Sequence, residues 1–368
     1  MRVEPSQLVP GCILLHEVKG KSNRPIIPKN TVLTEKHIII LEKFLIESVE
    51  VSSKLSDGEE FQPKVVHRSV KKQDVTKTIE SGLSNIPFAD HYRATALKFK
   101  EQYQKWQNSM PIDIPSVRDM IIPLLDRIEE VTSKEIYSLH KHVEKEDYIH
   151  YHSVAVSIIS AFLGRKMGYS KGEWLQIGLA GLLCDCGMVR VNSDIIFKAG
   201  PLTSNEFKDV QNHPTYSYRM VENLPTITSG VKLAVLQHHE REDGNGYPLG
   251  IKNEKIHKYA KVIAVADTYH AMTSDRLYQG KIPPMKVIEE IQKEQYIKFD
   301  AEVVKCFLGS LSDLSLGSKV TLSNKKSGEI VFVDPDKPTR PLIRMNGSDE
   351  IIALEHMPEL YIEKVSGS

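Results

Sequence analysis

Side chains that commonly bind metal ions recur through the middle of the chain, each near a predicted helix end. They are His152, Cys184, Asp185, His213, His238, His239 and Asp267. Divalent transition metals prefer imidazole and carboxylate donors, and one aspartate can bridge two ions because it has two oxygens. Taken singly, a histidine at a helix end is usually a dipole partner, and a buried aspartate is usually a cap or an ion-pair partner. The set as a whole indicates a metal centre.

The elements that must position these residues are predicted to be helices. Apolar residues recur with helical period from residue 88 to residue 307, and capping boxes at 170–173 and 203–206 mark two helix starts. One apolar stripe comprises Ile121, Leu124, Leu125, Ile128 and Val131. Such a stripe could bury itself against a partner chain, which would give a homodimer, or pack on the helices of its own chain.

Shorter, extended segments flank the helical region. Before it, extended runs, a helix over 35–46 and a strand over 49–53 predict a small α+β module at 1–62, followed by a linker and connecting helices at 63–130. The helical domain is predicted at 131–312. After it, five short strands over 319–323, 329–334, 342–345, 351–354 and 360–363 predict a small all-β, barrel-like module at 313–368. The predicted fold class is therefore mainly α with two small flanking modules.

The composition excludes several classes of protein. Lys+Arg and Asp+Glu are both 48, so the chain has zero formal net charge and lacks the general basic field of a nucleic-acid-binding protein. No apolar run is long enough for a membrane span, and the first residues lack the apolar core of a signal peptide, so a cytoplasmic protein is predicted. Four cysteines do not make a disulfide framework, and Cys12 and Cys306 are interpreted as buried thiols.

The region from residue 147 to residue 308 resembles the HD-GYP domain family, the bacterial cyclic dinucleotide phosphodiesterase branch of the HD hydrolases. The segment 238–248 reads HHEREDGNGYP, which is long and positionally constrained. The other matching segments read DYIHYHS at 147–153, GLLCDCGM at 181–188, FKAGPLT at 197–203, HP at 213–214, VADTY at 265–269 and SDRLY at 274–278.

The resemblance implies a bundle of about seven helices around two divalent ions, with iron, manganese or zinc as the candidates. The first ion would be held by His152, Cys184, Asp185 and Asp267. Asp185, the predicted catalytic residue, would bridge to a second ion held by His213, His238 and His239. A metal-bound hydroxide would then open a phosphodiester of a cyclic dinucleotide, most plausibly cyclic di-GMP. Arg276 and Tyr247 are predicted to contact the substrate.

The sequence departs from the family pattern at several positions that bear on activity. Cys184 replaces the histidine of the HD pair, Met188 replaces a phosphate-contacting lysine, His270 replaces an aspartate and Gln279 replaces a basic residue. Tyr148 stands where a further carboxylate ligand occurs in some members. Cys184 is predicted to be either a thiolate ligand that weakens the ion as a Lewis acid, or a buried thiol without a ligand role. Cys186 is interpreted as a buried thiol.

Two functions therefore compete at the level of sequence. The first is a divergent metal-dependent phosphodiesterase with reduced activity. The alternative is a catalytically degenerate protein that acts as a cyclic dinucleotide receptor or signalling scaffold, with the cyclic dinucleotide and other signalling proteins as its partners. A helical scaffold with a purely structural metal is a third interpretation.

Overall fold

A computed structural model describes residues 1–3, 5–19, 25–43, 48–63, 86–196, 198, 200–275, 280–311, 316–334, 337–348 and 350–366. The chain divides into two compact units, Met1–Leu83 and Ser84–Ser368. No helix in these ranges combines the length and the apolar character needed to cross a membrane. The predicted division of the second unit at residues 130 and 312 stays a prediction, as does the module boundary at residue 62.

The first unit is a small α+β module, as predicted. Strand β1 (Arg2–Val3) pairs antiparallel with β4 (Val49–Glu50), and β2 (Val18–Lys19) pairs antiparallel with β3 (Pro25–Ile27). Helix α1 (Glu35–Lys43) begins where the sequence predicts it, whereas residues 44–47 of the predicted helix lie outside the described residues. Its core is formed by Val3, Leu8, Cys12, Leu14, Val18, Ile27, Leu33, Leu41, Val49, Val51 and Phe61. Cys12 is buried as expected, and burial raises the pKa of its thiol.

The second unit is mainly helical. Its helices are α2 (Phe88–Gln107), α3 (Ile114–Asp126), α4 (Ser133–Tyr137), α5 (Tyr148–Lys166), α6 (Lys171–Leu183), α7 (Ser193–Ile196), α8 (Ser204–Gln211), α9 (His213–Val221), α10 (Ser229–Gln237), α11 (Lys258–Thr273), α12 (Pro284–Lys293) and α13 (Ala301–Ser310). The two predicted capping boxes are present at the starts of α6 and α8.

Helix α5 is the centre of the bundle. Every residue from His150 to Gly164 is buried, so this helix is enclosed on all sides. Helix α6 packs closely against it because glycines face the contact. A Cβ on Gly181 would lie 3.1 Å from the backbone oxygen of Val156, and one on Gly178 would lie 3.1 Å from Ala161 Cβ. This close packing brings the C-terminal end of α6 beside the first turns of α5.

The apolar stripe of α3 is buried within the chain itself. Ile121, Leu124, Leu125 and Ile128 are at most 1% exposed and belong to the bundle core. The stripe therefore packs on the helices of its own chain, and the interpretation that it contacts a partner chain is wrong.

A five-stranded antiparallel sheet follows the bundle. Its strands are β5 (Lys319–Leu322), β6 (Ser327–Phe332), β7 (Leu342–Met345), β8 (Ile351–Ala353) and β9 (Ile362–Ser366), in the order β8-β7-β6-β5-β9. The prediction of a small all-β module is confirmed. Its barrel-like closure is not, since β8 and β9 lie at opposite edges of the sheet. Arg340, in the segment between β6 and β7, forms an ion pair of 2.7 Å with Glu289 of α12 and so links the sheet to the bundle.

Candidate metal centre

Six of the predicted metal ligands meet at one point in the bundle, where several helices begin or end. His152 lies in the first turns of α5, and Asp185 lies just after α6. His213 is the first residue of α9, His238 and His239 follow α10, and Asp267 lies on α11. Five of these side chains are buried, and His239 remains 17% exposed. They form two groups that share Asp185, each with donor atoms within 4.8 Å of one another.

The first group consists of His152, Asp185 and Asp267. The Nε2 atom of His152 lies 2.9 Å from Asp267 Oδ1 and 3.4 Å from Asp185 Oδ2. Its Nδ1 atom faces the Tyr148 hydroxyl at 3.1 Å and His270 Nδ1 at 3.0 Å. Burial disfavours the charged form of His152, but the hydrogen bonds to Asp185 and Asp267 outweigh burial and raise its pKa. Nε2 is thus the ring atom that faces the carboxylates.

The second group consists of Asp185, His213, His238 and His239. In His213 and His238, Nδ1 donates to the backbone oxygens of Val210 at 2.7 Å and Val235 at 2.9 Å. A carbonyl oxygen only accepts, so both Nδ1 atoms carry a proton and both Nε2 atoms face the site, where they could bind a metal ion. These Nε2 atoms lie 3.2 Å apart, and Asp185 Oδ1 lies 3.0 Å from that of His213 and 3.5 Å from that of His238.

This donor set fits a bound cation. Two nitrogen lone pairs and a carboxylate oxygen at these separations repel one another unless a proton or a metal ion lies between them. Burial alone would raise the pKa of Asp185, but its contacts with His152, His213 and His238 outweigh burial and hold the pKa well below its usual range. The carboxylate is therefore anionic, as a metal ligand must be.

His239 completes the second group at its exposed side. Burial, and then the neighbouring His238, lower its pKa well below the usual value, so the ring is neutral and able to bind a metal. Its Nδ1 atom lies 3.8 Å from Asp267 Oδ2, and its ring stacks on that of Tyr247 with centroids 4.6 Å apart. Tyr247, a predicted substrate contact, is thus a direct neighbour of the centre.

The loop after His239 is held by a buried carboxylate. Glu240 is 2% exposed and accepts hydrogen bonds from the backbone of Leu249 at 2.7 Å and Ile251 at 3.1 Å. Gly246 is required where the loop folds back, because a Cβ there would lie 2.4 Å from the backbone nitrogen of Arg241. These contacts fix the position of Tyr247 over His239.

Cys184 lies beside the centre but outside both groups of donors. It is fully buried, and its thiol donates to the backbone oxygen of Gly181 at 3.2 Å, in the last turn of α6. Burial, and then the charges of Asp185 and Asp267, raise the pKa of this thiol well above its usual value. The arrangement gives no support to the prediction that Cys184 binds the first ion. Cys186 is also buried, which raises the pKa of its thiol to about 12.

Of the remaining departures from the family pattern, the structure describes Met188, Tyr148 and His270. Met188 lines a cavity of about 390 Å³ together with Lys100, Tyr103 and His150. The ammonium group of Lys100 lies 2.7 Å from a carboxylate oxygen of Asp147. Arg276, predicted to contact the substrate, and Gln279 lie outside the described residues.

Two side chains near the centre have a contact that the sequence analysis did not assign. Tyr148 and His270 both face Nδ1 of His152 and so help to orient its ring. Their spacing could have indicated this role. Tyr148 precedes His152 by four residues and His270 follows Asp267 by three, so each lies on the same helix face as a predicted ligand.

Comparison with known proteins finds relatives of the helical domain. The family model of the HD domain matches residues 130–303. A cyclic di-GMP phosphodiesterase of Pseudomonas aeruginosa is 32% identical over 212 residues, which cover 56% of this chain and 51% of that protein. The cyclic di-GMP phosphodiesterase of Thermotoga maritima is 35% identical over 192 residues, covering 52% and 49%. A 3'3'-cGAMP-specific phosphodiesterase of Vibrio cholerae is 28% identical over 172 residues, covering 47% and 36%.

The chain spans about half the length of the first two of these relatives. Among solved structures, an HDG"Y"P protein from Bdellovibrio bacteriovorus superimposes with a TM-score of 0.51 at 15% identity, covering 83% of this chain and 97% of that one. That likeness shows a shared fold. The domain at residues 130–303 therefore belongs to the HD domain family, and this region is similar to the HD-GYP cyclic di-GMP phosphodiesterases named above.

Proposed function

We propose that this protein hydrolyses a cyclic dinucleotide, with cyclic di-GMP as the leading substrate, and that it does so more slowly than relatives with the full family pattern. The observation that carries the proposal is the convergence of six buried or nearly buried histidine and aspartate donors in two groups that share Asp185. The names of the relatives support the substrate class, since they act on cyclic di-GMP or 3'3'-cGAMP.

In this proposal the centre holds two divalent ions. His152, Asp185 and Asp267 would hold the first, and Asp185, His213, His238 and His239 the second. Nitrogen and oxygen donors of this kind suit iron, manganese or zinc. Such ions polarise a phosphoryl group and lower the pKa of a coordinated water, which is the chemistry that phosphodiester hydrolysis needs.

The chain's own residues would orient the ligands and the substrate. The backbone oxygens of Val210 and Val235 hold His213 and His238 with Nε2 toward the centre. Tyr247 stacks on His239 and would contact the substrate beside the second group. Arg276 stays a proposed phosphate contact.

The reduced activity follows from two replacements. A lysine at position 188 and a basic residue at 279 would each contribute about 1.5–3 kcal/mol through a charge-assisted contact with phosphate. Met188 has no donor for such a contact, and Gln279 could donate only from a neutral amide. The first group also has three donors among the described residues, because Cys184 points to Gly181 instead of toward the carboxylates.

The same replacements favour a second candidate, a receptor or signalling scaffold that binds a cyclic dinucleotide without hydrolysing it. If the first ion is held too weakly to be retained, the bundle would keep its second ion and its substrate surface but lose the two-ion arrangement.

Incubation of the full chain with cyclic di-GMP or 3'3'-cGAMP separates the two candidates. The protein is purified without oxygen, loaded with iron, manganese or zinc, and the products are separated by chromatography, with Asp185→Asn as the inactive control. Linear dinucleotide or mononucleotide that forms with the parent and not with the variant supports the enzyme. Saturable binding without product supports the receptor. Neither binding nor product would refute both.

A further inference from the structure

A large cavity lies between the helical bundle and the C-terminal sheet. Its volume is about 810 Å³, and it is lined from the bundle by residues of α4, α11 and α12 and from the sheet by residues of β5 and β9. None of the six metal-binding candidates lines it. A cavity of ~300–1,000 Å³ is the usual size of a small-molecule site.

The rim of this cavity is positively charged. Five lysines line it, namely Lys134, Lys141, Lys281, Lys325 and Lys364. The one carboxylate among its described lining residues is Glu363, which already forms an ion pair of 2.7 Å with Lys325. Across the described part of the chain, no carboxylate lies within ion-pair distance of the other four ammonium groups. The described residues that line the cavity thus carry more positive than negative charge, which an anionic ligand would balance.

Lysines from both halves of the cavity are close enough to affect one another. Partial burial, and then the charges of Lys134 and Lys364, lower the pKa of Lys141. Lys141 lies beyond the end of α4, whereas Lys364 lies on β9. Holding like charges together costs free energy that an anion would recover, so an anionic ligand would bind between the bundle and the sheet.

The inner wall of the cavity is apolar and well fixed. Ile282, Met285, Ile288 and Ile362 line it beside the rings of Tyr137 and Tyr269. The Tyr137 hydroxyl is hydrogen-bonded to Ser310 at 2.6 Å, and that of Tyr269 donates to the backbone oxygen of Tyr137 at 2.9 Å. Their polar ends are therefore satisfied inside the bundle, so they add no unpaired polar group to this apolar wall.

We infer that this cavity is a binding site for a nucleoside phosphate. The lysines at the rim would contact the phosphate oxygens, and the apolar wall would contact the base. The inference does not rest on the proposed hydrolysis of cyclic dinucleotides, since it concerns other residues and a binding event alone. Because the ligand would contact the bundle and the sheet together, its binding would also raise the melting temperature of the protein.

The test is calorimetric titration of the full chain with GTP and with ATP, after treatment with EDTA so that the metal centre is empty. Guanosine, adenosine and inorganic triphosphate are titrated as partial ligands. Both groups of a nucleotide contribute to binding, so we expect the nucleosides and inorganic triphosphate each to bind at least about tenfold more weakly than the nucleotide. Raising the salt concentration should weaken nucleotide binding.

Two double variants with the same loss of charge locate the site. Lys141→Ala with Lys364→Ala removes one rim lysine from each half of the cavity and should weaken binding at least about tenfold. The control, Lys305→Ala with Lys326→Ala, removes two exposed lysines that do not line the cavity, one from α13 and one from the turn before β6, and should leave affinity unchanged. Lys281→Ala is a second rim variant, and circular dichroism checks that each variant is folded.

Four results would overturn the inference. The first is no binding of either nucleotide at about 1 mM. The second is an equal effect of the rim and control variants. The third is binding of inorganic triphosphate as tight as that of the nucleotides, which would show an anion site without a base pocket. Loss of binding in Asp185→Asn but not in the rim variants would assign the nucleotide to the metal centre and would also overturn it.

Discussion

Replacing Asp185 with asparagine tests the arrangement of the metal centre most directly. Asp185 is the one residue common to both groups of donors, with oxygens 3.0 Å from His213 Nε2 and 3.4 Å from His152 Nε2. Asparagine has nearly the same shape, so the bundle should fold, but it has no negative charge and only one oxygen. A neutral amide cannot bridge two cations as a carboxylate does.

The expected loss is larger than that for any other single ligand. Asp185→Asn should remove about two ions per chain, since both groups depend on its carboxylate. His239→Ala should remove about one, because His239 belongs to the second group alone, and His152→Ala should remove the other. Cys184→Ser should leave the metal content unchanged, because its thiol faces Gly181 and belongs to neither group.

Metal content is measured by elemental analysis after each variant is loaded with manganese or zinc and desalted. Thermal unfolding gives an independent value. An ion present at 100 times its dissociation constant stabilises the folded protein by ~2.7 kcal/mol, which for a domain of this size is ~5–10 °C in melting temperature. The parent should show this increase when metal is added, and Asp185→Asn should not.

Two outcomes would refute the reasoning. If Asp185→Asn loses only as much metal as His239→Ala, Asp185 does not bridge two ions. If Cys184→Ser loses an ion, the thiolate is a ligand after all, and the thiol must turn from Gly181 toward the carboxylates when metal binds. Either result would be clear from stoichiometry without any measurement of activity.

Three further predictions concern activity, the loop and pH. Cys184→His should raise the metal content of the first group and the rate of cyclic di-GMP hydrolysis. The gain in rate should increase when Met188→Lys is added, because the lysine provides a separate phosphate contact. Unchanged metal content and rate in the double variant would contradict this prediction. Glu240→Ala should lower the free energy of unfolding in urea by ~1.5–3 kcal/mol, because the backbone N–H groups of Leu249 and Ile251 lose their hydrogen-bond acceptor. Glu240→Gln should have about half this effect, and an equal effect of both variants would contradict the argument. Burial, and then the charge of Arg127, lower the pKa of His91 to about 4 in the folded protein. The neutral histidine therefore contributes its full share of stability above the unfolded pKa of 6.5, and this contribution is lost as the pH falls toward 4. Between pH 7 and pH 5 the parent should therefore lose up to about 2 kcal/mol more than His91→Gln in urea unfolding, and parallel curves would exclude His91 as the cause.

Local sequence signals predicted the elements of the bundle well. The capping boxes at Ser170 and Thr203 mark the starts of α6 and α8, because a side-chain acceptor and a glutamate three residues later satisfy the free backbone groups there. The five strands of the sheet lie within a few residues of their predicted positions, since each is bounded by glycine, proline or asparagine turns. The mainly helical fold class is also confirmed, because the helix starts are marked by such local signals.

Features that depend on packing between elements could not be predicted in this way. The apolar stripe on α3 predicts that this helix face is buried, but a helical period does not indicate whether the surface that covers it belongs to the same chain. Barrel closure depends on the twist and the pairing of the edge strands β8 and β9, and short alternating segments carry no signal for either.

The orientation of Cys184 illustrates why a ligand cannot be inferred from its position in a motif alone. Position 184 directly follows the last residue of α6, where the backbone oxygens of the final turn lack helical partners. A thiol is short and can donate, so it bonds to the backbone oxygen of Gly181 and satisfies one of these oxygens. An imidazole is longer and would extend past this oxygen toward Asp185 and Asp267. The replacement of histidine by Cys184 therefore changes which atoms the side chain can contact as well as the identity of the donor. The shorter reach of the thiol is the physical reason to expect weaker metal binding by the first group and unchanged metal binding by the second.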